Sequence, residues 1–370
     1  MPTPVDVVRA AVPPPTPSPT AAPHSGAARA GTAGQAASAP SPAWLVSVSR
    51  MARDWFLLGM VAAVAVASAA PDLGRSGGLL HVDAIADWGI FTIFFLHGIG
   101  LSTERLRQGL SRWPVHVVVQ VFTFVVFPVL AIVLSLTVGR WLPDELMLGI
   151  IYLCALPSTV SSSVAMTSLA RGNVAAAIFN ATFSTLIGVM LTPLLISLLA
   201  GRAGSGGPLG AVVMNVATLL LLPFAIGQAL RPLAGGVFAR WKPWTSAIDR
   251  GVILLLVFSA FSDSVADGLW NRYGLGQMAT ILGLTAGLLA LVLWLTTRVA
   301  RRCGFTVEDE IATVFCGSKK TLASGVPMAR VIFGSHPALG LIVLPLMCYH
   351  QLQLFVCSVM AQRYARRPAA

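Results

Sequence analysis

The chain is 370 residues long, 56% hydrophobic and only 11% charged, where an ordinary soluble domain carries roughly 25% charged residues. A mean hydropathy of +0.78 excludes a soluble globular protein and implies a polytopic membrane protein. The formal charge of +11 does not imply nucleic acid, because the basic residues fall in short clusters between apolar runs and read as topology signals.

Residues 1 to about 43 are Pro, Ala, Ser, Thr and Gly without an apolar run, and predict a disordered tail rather than a signal peptide. Ten apolar segments follow. They run Trp55 to Ala70, Ala84 to Leu101, Val115 to Val138, Glu145 to Leu169, Val174 to Ala200, Leu209 to Ala229, Ile248 to Ala266, Met278 to Val299, Ile311 to Phe333 and Ala338 to Met360. Most approach the ~20 residues a helix needs to cross the hydrocarbon, so the fold class is all-α with ten transmembrane helices. The organisation is a tail (1–43), a first five-span half (55–200), a second five-span half (209–360) and a basic tail (361–370). Between spans, Ser102 to Arg112 mixes leucines with Glu104, Arg105, Arg107 and Arg112 and suits a helix at the cytoplasmic interface.

With the N-terminus inside, eighteen of the 25 basic residues lie on cytoplasmic loops and tails and five lie outside, leaving Lys319 and Lys320 within a span. That bias predicts both termini in the cytoplasm. Five scattered cysteines, Cys154, Cys303, Cys316, Cys348 and Cys357, give no metal or disulfide spacing and read as small packing residues.

The fourth and ninth segments are interrupted near their middles. The fourth contains Leu156-Pro157-Ser158-Thr159-Val160-Ser161-Ser162-Ser163, the ninth Cys316-Gly317-Ser318-Lys319-Lys320-Thr321-Leu322-Ala323-Ser324-Gly325. Proline removes a backbone donor and hydroxyls compete for backbone groups, so these helices are predicted to be discontinuous. Unwound backbone at membrane depth needs cover from protein or a water-filled cavity. The interruptions are five segments apart, an odd offset that reverses direction across the membrane. They therefore predict two inverted five-helix repeats with a substrate site near the midplane, as in secondary transporters.

An intramembrane lysine costs on the order of 2.5–3.5 kcal/mol by insertion scales and marks a functional site. Lys319 or Lys320 is predicted to occupy the space of a cation and, with the positive ends of helices starting near Ser163 and Thr321, to favour an anion such as a carboxylate or sulfonate. A desolvated lysine can also exchange a proton, which opens a route to proton coupling. The candidate substrate and ion residues are Ser158, Thr159, Ser161, Ser162, Ser163, Asn180, Gly317, Ser318, Lys319, Lys320, Thr321, His350 and Gln351. His97, in the second span, reads as a structural histidine. The alternatives are an intramembrane enzyme with a Ser-Lys dyad at Ser318 or Ser161 to Ser163, and a channel or regulatory membrane subunit. Against an enzyme stand the missing G-x-S-x-G and H-E-x-x-H signatures, and no P-loop supports an ATP-driven pump.

Leu169-Ala170-Arg171-Gly172-Asn173-Val174, Ser184-Thr185, Thr192-Pro193-Leu194-Leu195, the run from Phe315 to Ala323, Gly325-Val326-Pro327-Met328 and Leu344-Pro345-Leu346-Met347 resemble the bile acid:sodium symporter family (solute carrier family 10-like), in its divergent bacterial branch. The resemblance covers about Trp55 to Tyr364. It implies a core domain of helices 3–5 and 8–10, a panel domain of helices 1, 2, 6 and 7, and transport of a small organic anion by alternating access across the bacterial cytoplasmic membrane. It also implies sodium sites at the crossing of helices 4 and 9. Here Phe315 and Lys319 stand where the family's glutamate and glutamine are expected, and Ala177 and Ala181 where hydroxyl ligands are expected. Only Ser162 and Ser163 retain oxygen for a weak sodium site, so the sodium sites are predicted to be absent or altered. No cofactor is expected beyond sodium or a proton as coupling ion.

Overall fold

The computed structural model describes residues 55–78, 82–100, 112–200, 209–268, 275–334 and 336–367. The predicted tail (1–43) and the interface stretch Ser102 to Arg112, apart from Arg112 itself, lie outside them. Among the described residues all regular structure is helical: α1 (Trp55–Ala69), α2 (Val82–Gly100), α3 (Trp113–Thr137), α4 (Asp144–Ala155), α5 (Ser161–Leu169) and α6 (Val174–Ala200). The second half continues with α7 (Leu209–Arg240), α8 (Lys242–Ala266), α9 (Leu275–Arg302), α10 (Val307–Gly317), α11 (Gly325–Phe333) and α12 (Leu339–Ala365).

Six of these, α3, α6, α7, α8, α9 and α12, contain a stretch long and apolar enough to cross a membrane, and α1 and α2 are shorter apolar helices. Large apolar side chains such as Val61, Leu136 and Leu233 point outward at 62%, 80% and 83% exposure. A surface of that kind suits lipid and not water. The chain is a multi-pass membrane protein.

Two sets of helices emerge from the packing. α1, α2, α7 and α8 contact one another, with α7 along α2 and α8 along α1. α3–α6 and α9–α12 form the other set, centred on α4 against α12 and α10 against α3, α5, α6 and α9. The α2–α7 contact is close because glycines face each other's backbone. A Cβ on Gly98 would stand 2.1 Å from the Phe224 carbonyl oxygen, and one on Gly227 2.2 Å from that of Phe95. Small residues at such contacts let helices approach where lipid supplies no hydrophobic drive.

Local chemistry explains the turns. α5 ends with Arg171 in the left-handed region (φ 56°), Gly172 N–H donating to Thr167 O at 2.8 Å and Arg171 N–H to Ser168 O at 3.1 Å. This is a Schellman closure. Asn173 then starts α6, its Oδ1 accepting from Ala176 N–H at 3.0 Å. Thr306 caps α10 by accepting from Asp309 N–H at 3.3 Å. The acidic first turn that follows sits at the positive end of the helix, and Glu310 takes Arg301 at 3.0 Å, Asp309 takes Asn173 at 2.8 Å and Glu308 takes Arg367 at 2.7 Å.

α11 starts at Gly325, not near Thr321 as the sequence suggested. Thr321 instead uses its hydroxyl to accept from Ser324 N–H at 3.4 Å, holding residues 321–324 in a turn, and Pro327 is tolerated in the first turn of the helix that follows. α5 starts at Ser161, two residues before the expected position.

Candidate functional site

Residues 156–160, between α4 and α5, and residues 318–324, between α10 and α11, leave the helical path and meet in the packed interior. The Thr321 N–H donates to Pro157 O at 3.1 Å, tying one segment to the other. Each segment caps the other's helix. At the end of α10, Ser158 Oγ donates to Cys316 O at 2.6 Å and Ser163 Oγ to Phe315 O at 3.0 Å. At the end of α4, Lys320 Nζ donates to Cys154 O at 3.0 Å and Leu156 O at 2.6 Å. Thr192 Oγ1 takes the intervening Ala155 O at 2.9 Å. These are the carbonyls a helix end leaves unpaired, and at membrane depth each must find a donor inside the protein.

The third acceptor of Lys320 comes from α3. There the helix widens into a π-helical stretch, Phe122–Val126, in which the Phe127 N–H bonds the Phe122 carbonyl. Residue 128 is proline and has no N–H to offer, so the Thr123 carbonyl loses both of its intrahelical donors. Lys320 Nζ donates to it at 3.0 Å and lies 3.9 Å from the centroid of the Phe127 ring. The ammonium therefore places one N–H on each of three carbonyls and its charge over an aromatic face.

The peptide groups of Lys320 are also read. Its N–H donates to Gln353 Oε1 and its carbonyl accepts from Gln353 Nε2, both at 2.8 Å, with His350 Nδ1 at 2.9 Å from the same amide nitrogen. Tyr349 OH donates to Ser318 O at 2.7 Å, and Tyr152 OH donates to Gly325 O.

Lys319 is as buried as its neighbour, with no exposed surface, yet it is held lightly. Its ammonium makes one hydrogen bond among the described residues, to Ser162 O at 2.9 Å, and stands 5.4 Å from the Phe315 ring centroid. Ser162 is in the first turn of α5, whose start no side chain caps. Val160 is 39% exposed and Ser161 is exposed as well, so this end of α5 borders open surface. Thr159 Oγ1 lies 2.8 Å from Ser162 Oγ and 2.9 Å from Ser163 Oγ, adding a hydroxyl cluster. Among the described residues the Lys319 ammonium thus keeps spare donors beside the first turn of α5.

Most of the sequence-predicted residues converge here: Ser158, Thr159, Ser162, Ser163, Gly317, Ser318, Lys319, Lys320, Thr321 and His350. Gly317 packs against Thr296, where a Cβ would come within 3.3 Å. Three do not converge. Ser161, in the first turn of α5, is exposed and makes no hydrogen bond among the described residues. Asn180 is turned toward α3, donating to Ala176 O at 3.0 Å and meeting Gln120 Nε2 at 3.4 Å. Among the described residues Gln351 makes no hydrogen bond to either lysine and its buried Oε1 has no partner; Gln353, two residues on and so turned to another side of α12, is the amide that bonds the Lys320 backbone. Thr123, Phe127, Pro128 and Tyr349 join the site without having been among the candidates. The signal for the first three was Phe127-Pro128 inside a span.

A Ser-Lys dyad is not formed. Neither lysine ammonium hydrogen-bonds a serine hydroxyl among the described residues, and Ser318 Oγ donates to Val314 O at 2.6 Å. Outside the crossing, a cavity of about 300 Å³ is lined by Arg75, Ser76, Asp263, Asp267 and Pro337. Beside it, Asp263 on α8 accepts from Ser76 at 2.7 Å and lies 3.9 Å from Arg330 on α11. His97 pairs with Asp249 at 3.6 Å, linking α2 to α8.

Comparison with known proteins gives a consistent result. Residues 54–366 match the family model described as the SBF-like CPA transporter family. A Pseudomonas aeruginosa protein named "Uncharacterized protein PA2026" is 47% identical, covering 87% of this chain and 96% of that protein. "Putative symporter YfeH" of Escherichia coli (strain K12) is 41% identical over 85% of this chain and 93% of its own. "Sodium/bile acid cotransporter 7" of Danio rerio is 32% identical over 85% and 94%. The relatives named for an activity are named as transporters, not enzymes.

Proposed function

Since this chain belongs to the SBF-like CPA transporter family, we propose that it is a secondary active transporter carrying a small organic anion across the bacterial cytoplasmic membrane by alternating access. In this reading α4 with α5 and α10 with α11 are two interrupted spans, giving ten spans in two inverted five-span repeats with both termini in the cytoplasm. The set α3–α6 with α9–α12 is the core, and α1, α2, α7 and α8 are the panel against which it moves.

The observation that carries the substrate class is Lys319. Its charge is buried, it has one protein acceptor among the described residues, and that acceptor, Ser162 O, belongs to the uncapped first turn of α5, where Val160 and Ser161 are exposed. A carboxylate or sulfonate there would accept from the ammonium and from the free N–H groups of the first turn, in a low-dielectric setting where such contacts are strong. The apolar body of the substrate would lie against the neighbouring helices.

The same geometry weighs against sodium at Ser162 and Ser163. An ion on Ser162 O would stand about 5 Å from the Lys319 charge and meet a repulsion of about 3 kcal/mol at an effective dielectric of 20. The Danio rerio relative is named for sodium coupling; for this chain we propose coupling to a proton in place of sodium. The test is uptake into proteoliposomes, screening organic carboxylates and sulfonates with imposed sodium and pH gradients. Saturable uptake of one class that persists without sodium supports the reading, and uptake that requires sodium or is non-saturable refutes it.

A further inference from the structure

Lys320 looks at first like half of a functional lysine pair, but its surroundings are those of an ion site. Three backbone carbonyls, of Thr123, Cys154 and Leu156, surround its ammonium at 3.0, 3.0 and 2.6 Å, and the Phe127 ring covers it at 3.9 Å. None of the three carbonyl oxygens has a donor in its own helix to lose. Cys154 O is a C-terminal carbonyl of α4, where the helix dipole concentrates negative charge, Leu156 O belongs to the extended residue that follows the helix, and Thr123 O is freed by the π-helical stretch and Pro128. A convergence of backbone carbonyls of this kind is how proteins replace the hydration shell of a monovalent cation.

We infer that the ends of α4 and the π-helical stretch of α3 form a monovalent-cation site whose occupant is tethered: the ammonium of Lys320 stands where a free ammonium, potassium or sodium ion would otherwise bind. The crossing is then assembled without any ion from solution, and shortening the side chain while leaving the carbonyls in place converts a built-in cation into a missing one. The inference concerns how the crossing is held together and does not depend on which anion is carried.

The experiment measures thermal unfolding of the purified full-length protein in detergent, in choline chloride and then in ammonium, potassium or sodium chloride at equal ionic strength. Wild type is expected to unfold at the same temperature in all four salts. Lys320→Ala is expected to unfold several degrees lower in choline and to recover at least half of that deficit, saturably, in at least one of the three small-cation salts. Lys320→Met, which fills the cage with an apolar chain, is expected to be destabilised and to gain nothing from any of them. Equal melting of Lys320→Ala in all four salts overturns the inference, and so does equal rescue of Lys320→Met or failure of Lys320→Ala to fold in any salt. Anion binding is not read in this experiment, so its failure leaves the proposed function to its own test.

Discussion

Lys319 and Lys320 are adjacent in the chain but send their ammonium groups to different helices, Lys319 to Ser162 of α5 at 2.9 Å and Lys320 to Leu156 at the end of α4 at 2.6 Å. One lysine closes three bonds and the other closes one. The pair therefore divides into a structural charge and an available one, and the first prediction follows from that division. Lys320→Gln should lose about 3–5 kcal/mol of stability, the cost of leaving three buried carbonyls short of their donors, whereas Lys319→Gln, which frees one, should lose less than about 1 kcal/mol. Chemical or thermal unfolding of the two variants decides it, and a reversed order contradicts the assignment.

Pro128→Ala offers a sharper check on α3. Replacing a proline inside a helix ordinarily restores a bond and stabilises. Here the new N–H at 128 would compete with Lys320 for the Thr123 carbonyl, or let the stretch relax to α-helix and turn that carbonyl away. The variant should be no more stable than wild type, measured by melting temperature, and clear stabilisation would refute the role given to the π-helical stretch.

The serines of the fourth segment should separate by depth. Ser158→Ala and Ser163→Ala each leave a buried carbonyl of α10 without its donor and should cost about 1–3 kcal/mol. Ser161 is exposed and makes no hydrogen bond among the described residues, so Ser161→Ala should change stability by less than about 0.5 kcal/mol. Unfolding measurements on the three variants test the ranking.

Asp263 and Arg330 join α8 to α11, and so join the two sets of helices, with side-chain exposures of 16% and 12%. A double-mutant cycle on Asp263→Ala and Arg330→Ala should give a coupling energy of about 1 kcal/mol or more. If the two sets move against each other, breaking this contact should also raise the labelling rate of a cysteine placed at Ala266, which lines the adjoining cavity. Independent effects with unchanged labelling would remove this pair from any gating role.

How much of this was legible in the sequence varies with physical cause. Apolar runs fix where helices lie, so α6 is the predicted Val174 to Ala200 to the residue, and the interruptions at Pro157 and around Lys319 show where the path leaves the helix. Lys319 and Lys320 stood out because a buried charge is costly wherever it occurs. What could not be read was which lysine does what, since that depends on carbonyls 157 to 197 residues away in the chain. The π-helical stretch was hidden for a related reason. Pro128 announces a disturbed helix but not that the freed carbonyl meets Lys320. Gln351 and Gln353 were indistinguishable by type, and only the phase of α12 brings Gln353 to the Lys320 backbone.

The central claim is that an anion binds at Lys319 and needs no sodium to do so. Its most direct test is equilibrium binding of an amphipathic sulfonate or carboxylate, identified by the uptake screen, to purified wild type and Lys319→Gln in sodium chloride and in choline chloride. Wild-type affinity should be equal in the two salts, and Lys319→Gln should weaken it at least about tenfold in both, a loss of about 1.4 kcal/mol. Binding that disappears in choline, or that Lys319→Gln leaves intact, would contradict the account.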